Sequence, residues 1–182
     1  MSSKYKVSED ALPHFVTFTV VRWVDIFSRE GYKEIFVNSL KYCQESKGLN
    51  LHAWVIMTNH VHLIISSSSN KIENIVRDIK KYSSKQIIAA INENPTEGRK
   101  EWILNLFSYA GRNNANNKVY QFWKQDYHPI ELDNHEKLKQ RLDYLHENPV
   151  RSGLVWETWH YKYSGAIDYY TNEHGLLKIE QL

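Results

Sequence analysis

The first patterned stretch, Phe15 to Val21 (FVTFTVV), is rich in β-branched and aromatic residues and predicts a strand. Tyr32, Ile35, Phe36, Leu40 and Cys43 then recur at helical spacing. Ser28 is placed to cap that helix, Glu30 falls in its first turn, and Gly48 supplies its stop. Leu51 to Met57 and His60 to Ser66 predict two further strands. Only Thr58-Asn59 separates them, so they are expected to form an antiparallel hairpin. After a polar loop, residues 71–91 carry Ile72, Ile75, Val76, Ile79, Ile87, Ile88 and Ile91 on a second helical stripe, which Asn94-Pro95 ends. Arg99 to Tyr109 predicts a shorter helix.

The asparagine-rich stretch Gly111 to Lys118 predicts a mobile loop. Tyr120 to Trp123 and Tyr127 to Leu132 predict two short strands or one bent one. Asp133 or Asn134 starts a last long helix, expected to run to about Glu147. Asn148-Pro149 is expected to close it, because a residue before proline is pushed out of helical geometry. The aromatic tail, 156–182, ends in a candidate strand at Leu176 to Ile179. This order predicts an α+β fold: a ferredoxin-like or RRM-like antiparallel sheet with helices packed on it, in one domain spanning 1–182.

Composition narrows the function classes. At 182 residues and 42% apolar the chain can bury one sizeable core. No apolar run approaches the ~20 residues of a membrane helix. The first residues hold no apolar signal core, so no secretion signal is expected, and the single cysteine, Cys43, fits a reducing cytoplasm. The net charge of +2 does not announce a nucleic-acid binder, so the placement of basic residues matters more than their sum.

His60 and His62 stand two apart in a predicted strand, so both side chains leave one face, where their rings can take one divalent ion. Alone, a His-x-His pair also fits surface histidines and unrelated metal hydrolases. Tyr144 and Asn148 lie at i and i+4 on one helix and face the same point. A tyrosine hydroxyl can be a covalent nucleophile, although its ordinary pKa of about 10 requires a cation or base nearby. An amide oxygen at Asn148 could complete a metal's coordination. Taken singly, these two are equally a core tyrosine and a helix-ending asparagine. Arg77, Lys81 and Lys85 form a basic stripe at i, i+4 and i+8, with Lys80 beside it. Lys118, Lys124, His128 and Arg151 are further candidates for DNA contact, and a solvated helix face is the plainer reading of the stripe.

From His14 onward the chain resembles the REP-associated tyrosine transposases, IS200-like members of the single-tyrosine HUH endonucleases. The matching stretches are HFVTFTVVRWVDIF (14–27), HAWVIMTNHVHLII (52–65), YQFWKQDYHPIEL (120–132) and LDYLHENPVRSGLV (142–155), in the family's order. The resemblance implies that His60 and His62 are metal ligands, that Asn148 supplies the third, and that Tyr144 is the nucleophile. It implies Mg2+ or Mn2+ as cofactor, and attack by Tyr144 on a DNA phosphate to leave a 5′-phosphotyrosine and a free 3′-hydroxyl. The expected partner is single-stranded and hairpin DNA of the REP type, in a bacterial cytoplasm beside the nucleoid, with no membrane. Strand exchange with one tyrosine per site needs sequential steps or two subunits, which admits a homodimer. Two other readings stand beside this one: a DNA-binding protein that no longer cuts, and a metal-dependent phosphoesterase. The latter would need carboxylates near the histidine pair that the sequence does not place there.

Overall fold

The structure is a computed structural model that describes residues 12–69, 71–112, 119–125 and 128–182. Four strands, β1 (His14–Thr19), β2 (Leu49–Ile56), β3 (His60–Ser67) and β4 (Ile130–Glu131), form one antiparallel sheet in the order β2-β3-β1-β4. The long helices are α1 (Glu30–Ser46), α2 (Ile72–Glu93), α3 (Lys100–Arg112) and α4 (His135–Arg151), followed by a short α5 (Ala166–Tyr170). This is the α+β, ferredoxin-like sandwich that the patterning predicts.

Strand alternation divides the core in two. Val16 and Phe18 of β1, Trp54 and Ile56 of β2, and Val61, Leu63 and Ile65 of β3 face α1 and α2 in the larger cluster. Phe15, Val55 and Ile64 point the other way and meet Leu145 of α4 in a smaller one. In β2 a register shift between Leu51 and Ala53 resets the alternation. His60 and His62 leave β3 on the α4 side, because Val61 and Leu63 are committed to the larger core.

The structure corrects several boundaries. The first strand ends at Thr19, and the chain then turns through two 3-10 segments, Val21–Trp23 and Ile26–Ser28. Ser28 is therefore not the cap of α1; Arg29 takes that position without a side-chain hydrogen bond. Gly48, at φ +71°, provides the stop after α1 as expected. The expected loop at 111–118 begins inside α3, which includes Gly111 and Arg112, and its remainder lies outside the described residues. Tyr120 to Trp123 contributes only an isolated bridge, Trp123 to Val20, and β4 is two residues long. Tyr127 lies outside the described residues.

Asn148-Pro149 does not close α4, which carries Pro149 inside it and runs to Arg151. The terminator is Gly153, at φ +73°. Its N–H donates to Val150 O and that of Leu154 to Pro149 O, the paired bonds of a Schellman motif. Leu176 to Ile179 forms no strand; past it, Glu180 N–H donates to Leu51 O.

Candidate active site

His62 lies directly opposite Thr17 of β1 and Val55 of β2 in the sheet register. Its ring is buried, stacked on Phe15 at 5.1 Å between centroids. The Thr17 hydroxyl lies 2.7 Å from its Nδ1, while Nε2 is buried without a hydrogen-bond partner among the described residues. Burial pushes the ring down to about 3, with the neighbouring His60 and Arg141 adding to the shift, so His62 is neutral at physiological pH.

His60 is half-buried, its ring centroid 4.7 Å from that of His62 and its value also lowered by burial. Its Nδ1 is 2.7 Å from Asn59 Oδ1. A carbonyl oxygen only accepts, so Nδ1 carries the proton and the Nε2 lone pair is available. The strand thus delivers two neutral imidazoles, each with Nδ1 engaged by a neighbour, the arrangement that metal-binding histidines use.

Helix α4 brings the second half. The Tyr144 ring meets His62 edge-on at 5.4 Å between centroids and Phe15 at 6.1 Å. Tyr144 and the histidine pair belong to one chain. Leu138, Leu142 and Leu145 of the same helix pack on the sheet, and this sets Tyr144 at the open edge of that contact. Asn148 follows one turn later, and its Nδ2 is buried without a partner among the described residues. The carboxamide can turn over about its last torsion and offer oxygen instead.

Two arginines flank the tyrosine on α4. Arg151 lies with its guanidinium carbon 5.9 Å from the Tyr144 ring centroid and pairs with Glu147. Arg141 lies 5.3 Å from the Phe15 ring centroid. Two buried polar atoms without partners, on the two elements that Tyr144 joins, fit a cation held by His60, His62 and Asn148. Among the described residues no group of three or more His, Cys, Asp or Glu could hold a metal. A cation at this place would have two imidazoles and an amide as its protein donors, with phosphate oxygens and water to complete its coordination.

The profile of the Transposase IS200-like family matches residues 8–110, which hold β1 to β3, the histidine pair and α2. The chain belongs to the Transposase IS200-like family. DNA transposition is thus its functional class. Its fold is that of a REP-associated tyrosine transposase solved bound to a REP hairpin, with a TM-score of 0.66 and 14% identity over all of this chain and 95% of that one. A second solved structure, assigned as a transposase of Deinococcus radiodurans R1, aligns at a TM-score of 0.44 and 18% identity over 80% of this chain and 95% of that one. A search of the curated proteins gives no match.

For this IS200-like chain the remaining sequence candidates scatter. Arg77, Lys81 and Lys85 are exposed on α2, in the layer across the sheet from the histidine pair, and Arg77 pairs with Asp78. Lys80 turns inward and donates to Lys124 O. Lys124 sits near the site, its Nζ 4.3 Å from the centroid of Trp23, which in turn meets His60 at 6.1 Å. His128 is exposed two residues before β4, and Lys118 lies outside the described residues.

Sequence reasoning missed Thr17, Phe15, Arg141 and Trp23. Arg141 was within reach, being three residues before Tyr144 on one helical face. Thr17 and Phe15 become visible only with the β1–β3 register.

Proposed function

We propose that this chain is a single-strand DNA nickase and rejoiner in which Tyr144 is the nucleophile and His60, His62 and Asn148 hold a divalent cation, Mg2+ or Mn2+. The observation that carries the reading is the 5.4 Å approach of the Tyr144 ring to the His62 ring between α4 and β3. A bound cation supplies Lewis-acid polarisation of the scissile phosphate and orients it. The imidazole donors favour manganese over magnesium.

The Tyr144 hydroxyl loses its proton and its oxygen forms a bond to phosphorus in line with the leaving group. The bond from phosphorus to the 3′ oxygen breaks, and that oxygen takes up a proton as a free 3′-hydroxyl. The product is a 5′-phosphotyrosine. Because one phosphodiester replaces another, a second 3′-hydroxyl can reverse the step without ATP. Arg141 and Arg151 add positive charge on both sides of Tyr144, which favours an approaching phosphate. Hairpin DNA is the substrate class we propose, since the solved transposase of this fold is bound to a REP hairpin.

The test uses 3′-labelled hairpin oligonucleotides with randomised single-stranded flanks, incubated with the full chain and Mn2+. A label that migrates with the protein on a denaturing gel is expected, and Tyr144→Phe should abolish it while leaving DNA binding intact. Release of free 5′-phosphate would point to a phosphoesterase. Binding without cleavage would point to a DNA-binding protein that no longer cuts, and an adduct persisting in Tyr144→Phe would remove that residue from the chemistry.

A further inference from the structure

Immediately after β1 the backbone does something costly. Arg22 and Trp23 are consecutive non-glycine residues with φ of 58° and 57°. Left-handed geometry at such residues is uncommon and carries an energetic cost, and it survives where the surroundings impose it. Here they do: Val20 bridges Trp123, Val21 N–H donates to Phe122 O, and Trp23 N–H donates to Val20 O. Both side chains are turned outward, although glycine or asparagine would relieve the backbone.

Each lands on a feature suited to an unpaired base. Trp23 is 55% exposed beside the histidine pair, meeting His60 at 6.1 Å with Lys124 Nζ over its ring. Arg22 enters a groove of about 430 Å3 on the outer face of α3, lined also by Trp102, Asn105, Leu106 and Tyr109. Trp102 is itself 53% exposed. An exposed indole beside the site, a guanidinium next to it in the chain and a second exposed indole beyond combine stacking surfaces with positive charge, the pairing that single strands use.

We propose that Trp23, Arg22 and Trp102 form a track for single-stranded DNA leading away from the histidine pair, with Trp23 stacking a base close to the scissile phosphate and Arg22 contacting the backbone between the two indoles. The track rests on the DNA-cleaving reading for its purpose, but its binding can be measured without cleavage.

Full-length protein in EDTA is titrated with fluorescent dT12 and, separately, with a blunt hairpin that has no single-stranded tail. Trp23→Leu is expected to weaken dT12 binding by about 5- to 50-fold and to leave the blunt hairpin within about 2-fold. Trp23→Phe should restore most of the loss. Trp102→Leu should weaken dT12 in the same direction. Arg22→Gly should raise Tm by relieving the left-handed backbone, yet lower the slope of log affinity against log salt by about 0.7. A Mn2+ titration of Trp23→Leu should match the parent, showing that His60 is undisturbed. Unchanged dT12 affinity in Trp23→Leu and Trp102→Leu overturns the track, as does an equal loss for the blunt hairpin. If no covalent adduct forms but dT12 binding depends on Trp23, the cleavage reading fails and the track stands. If an adduct forms while dT12 ignores both tryptophans, the reverse holds.

Discussion

The contact between the Thr17 hydroxyl and His62 Nδ1, at 2.7 Å, decides which nitrogen of His62 is left without a partner among the described residues. Removing such a partner frees the ring to rotate and weakens its donor strength, which in metal sites costs about 10- to 100-fold in affinity. Thr17→Val keeps the β-branched shape the strand wants while deleting the hydroxyl. The expected outcome is a loss of that size in Mn2+ affinity by calorimetric titration, with an unchanged circular dichroism spectrum; parent-like affinity would show that Thr17 plays no part. Two spacings, i+2 on a strand and i+4 on a helix, put His60 with His62 and Tyr144 with Asn148 on one face each, but only the family resemblance joins the two pairs into one candidate site. The sequence conceals Thr17 because its role depends on which residue of another strand stands opposite His62. Trp23 is concealed for a different reason: a strand-like run, FVTFTVVRW, gives no sign that its end reverses into left-handed backbone.

Helix α4 has to hold Tyr144 steady against the sheet, and its two ends are built accordingly. At the start the Asn134 side chain accepts from Lys137 N–H at 2.9 Å, as the asparagine in that position predicts. At the far end the sequence misleads. Pro149 removes one helical donor, the one that would reach Leu145 O, and the residue before a proline is biased out of helix. The helix nevertheless continues, with Pro149 buried and the carbonyls of Asn148, Pro149 and Val150 all accepting from 152–154. Keeping Asn148 helical is what leaves it one turn from Tyr144. Asn134→Ala should destabilise the protein by about 1 kcal/mol in urea unfolding. Gly153→Ala, where an added Cβ meets nothing within 4 Å, should cost about 1–2 kcal/mol from backbone conformation alone. A neutral Gly153→Ala would mean that the helix end tolerates another geometry.

Across the whole molecule the strand and helix order is legible because long periodic segments commit their faces early; β4 falls within the strand expected at Tyr127 to Leu132 but keeps only two residues of it, and the segment at Leu176 to Ile179, expected as a strand, leads only to a single backbone bond from Glu180. Two buried histidines, one on each of the elements that carry the candidate site, then couple that fold to pH. His62 is held down to about 3, and His146, with neither nitrogen partnered among the described residues and its ring against Tyr169 and Tyr170, to about 4, burial being the main cause in each. A histidine whose value falls on folding is protonated in the unfolded chain before the folded one. Between pH 6.5 and each folded value the unfolded state therefore binds more protons, and stability rises with pH through that window, reaching its full value above 6.5. At pH 5 each ring costs about 2 kcal/mol relative to pH 8. His52 and His60, also lowered by burial, act in the same sense. His146→Leu removes one ring together with two buried polar atoms lacking partners, so it should be at least as stable as the parent at pH 8. Urea unfolding in EDTA at the two pH values should show the parent losing about 4 kcal/mol or more on acidification and His146→Leu losing about 2 kcal/mol less than the parent. Equal losses in the two proteins would mean that His146 is not held neutral by the contact between α4 and α5.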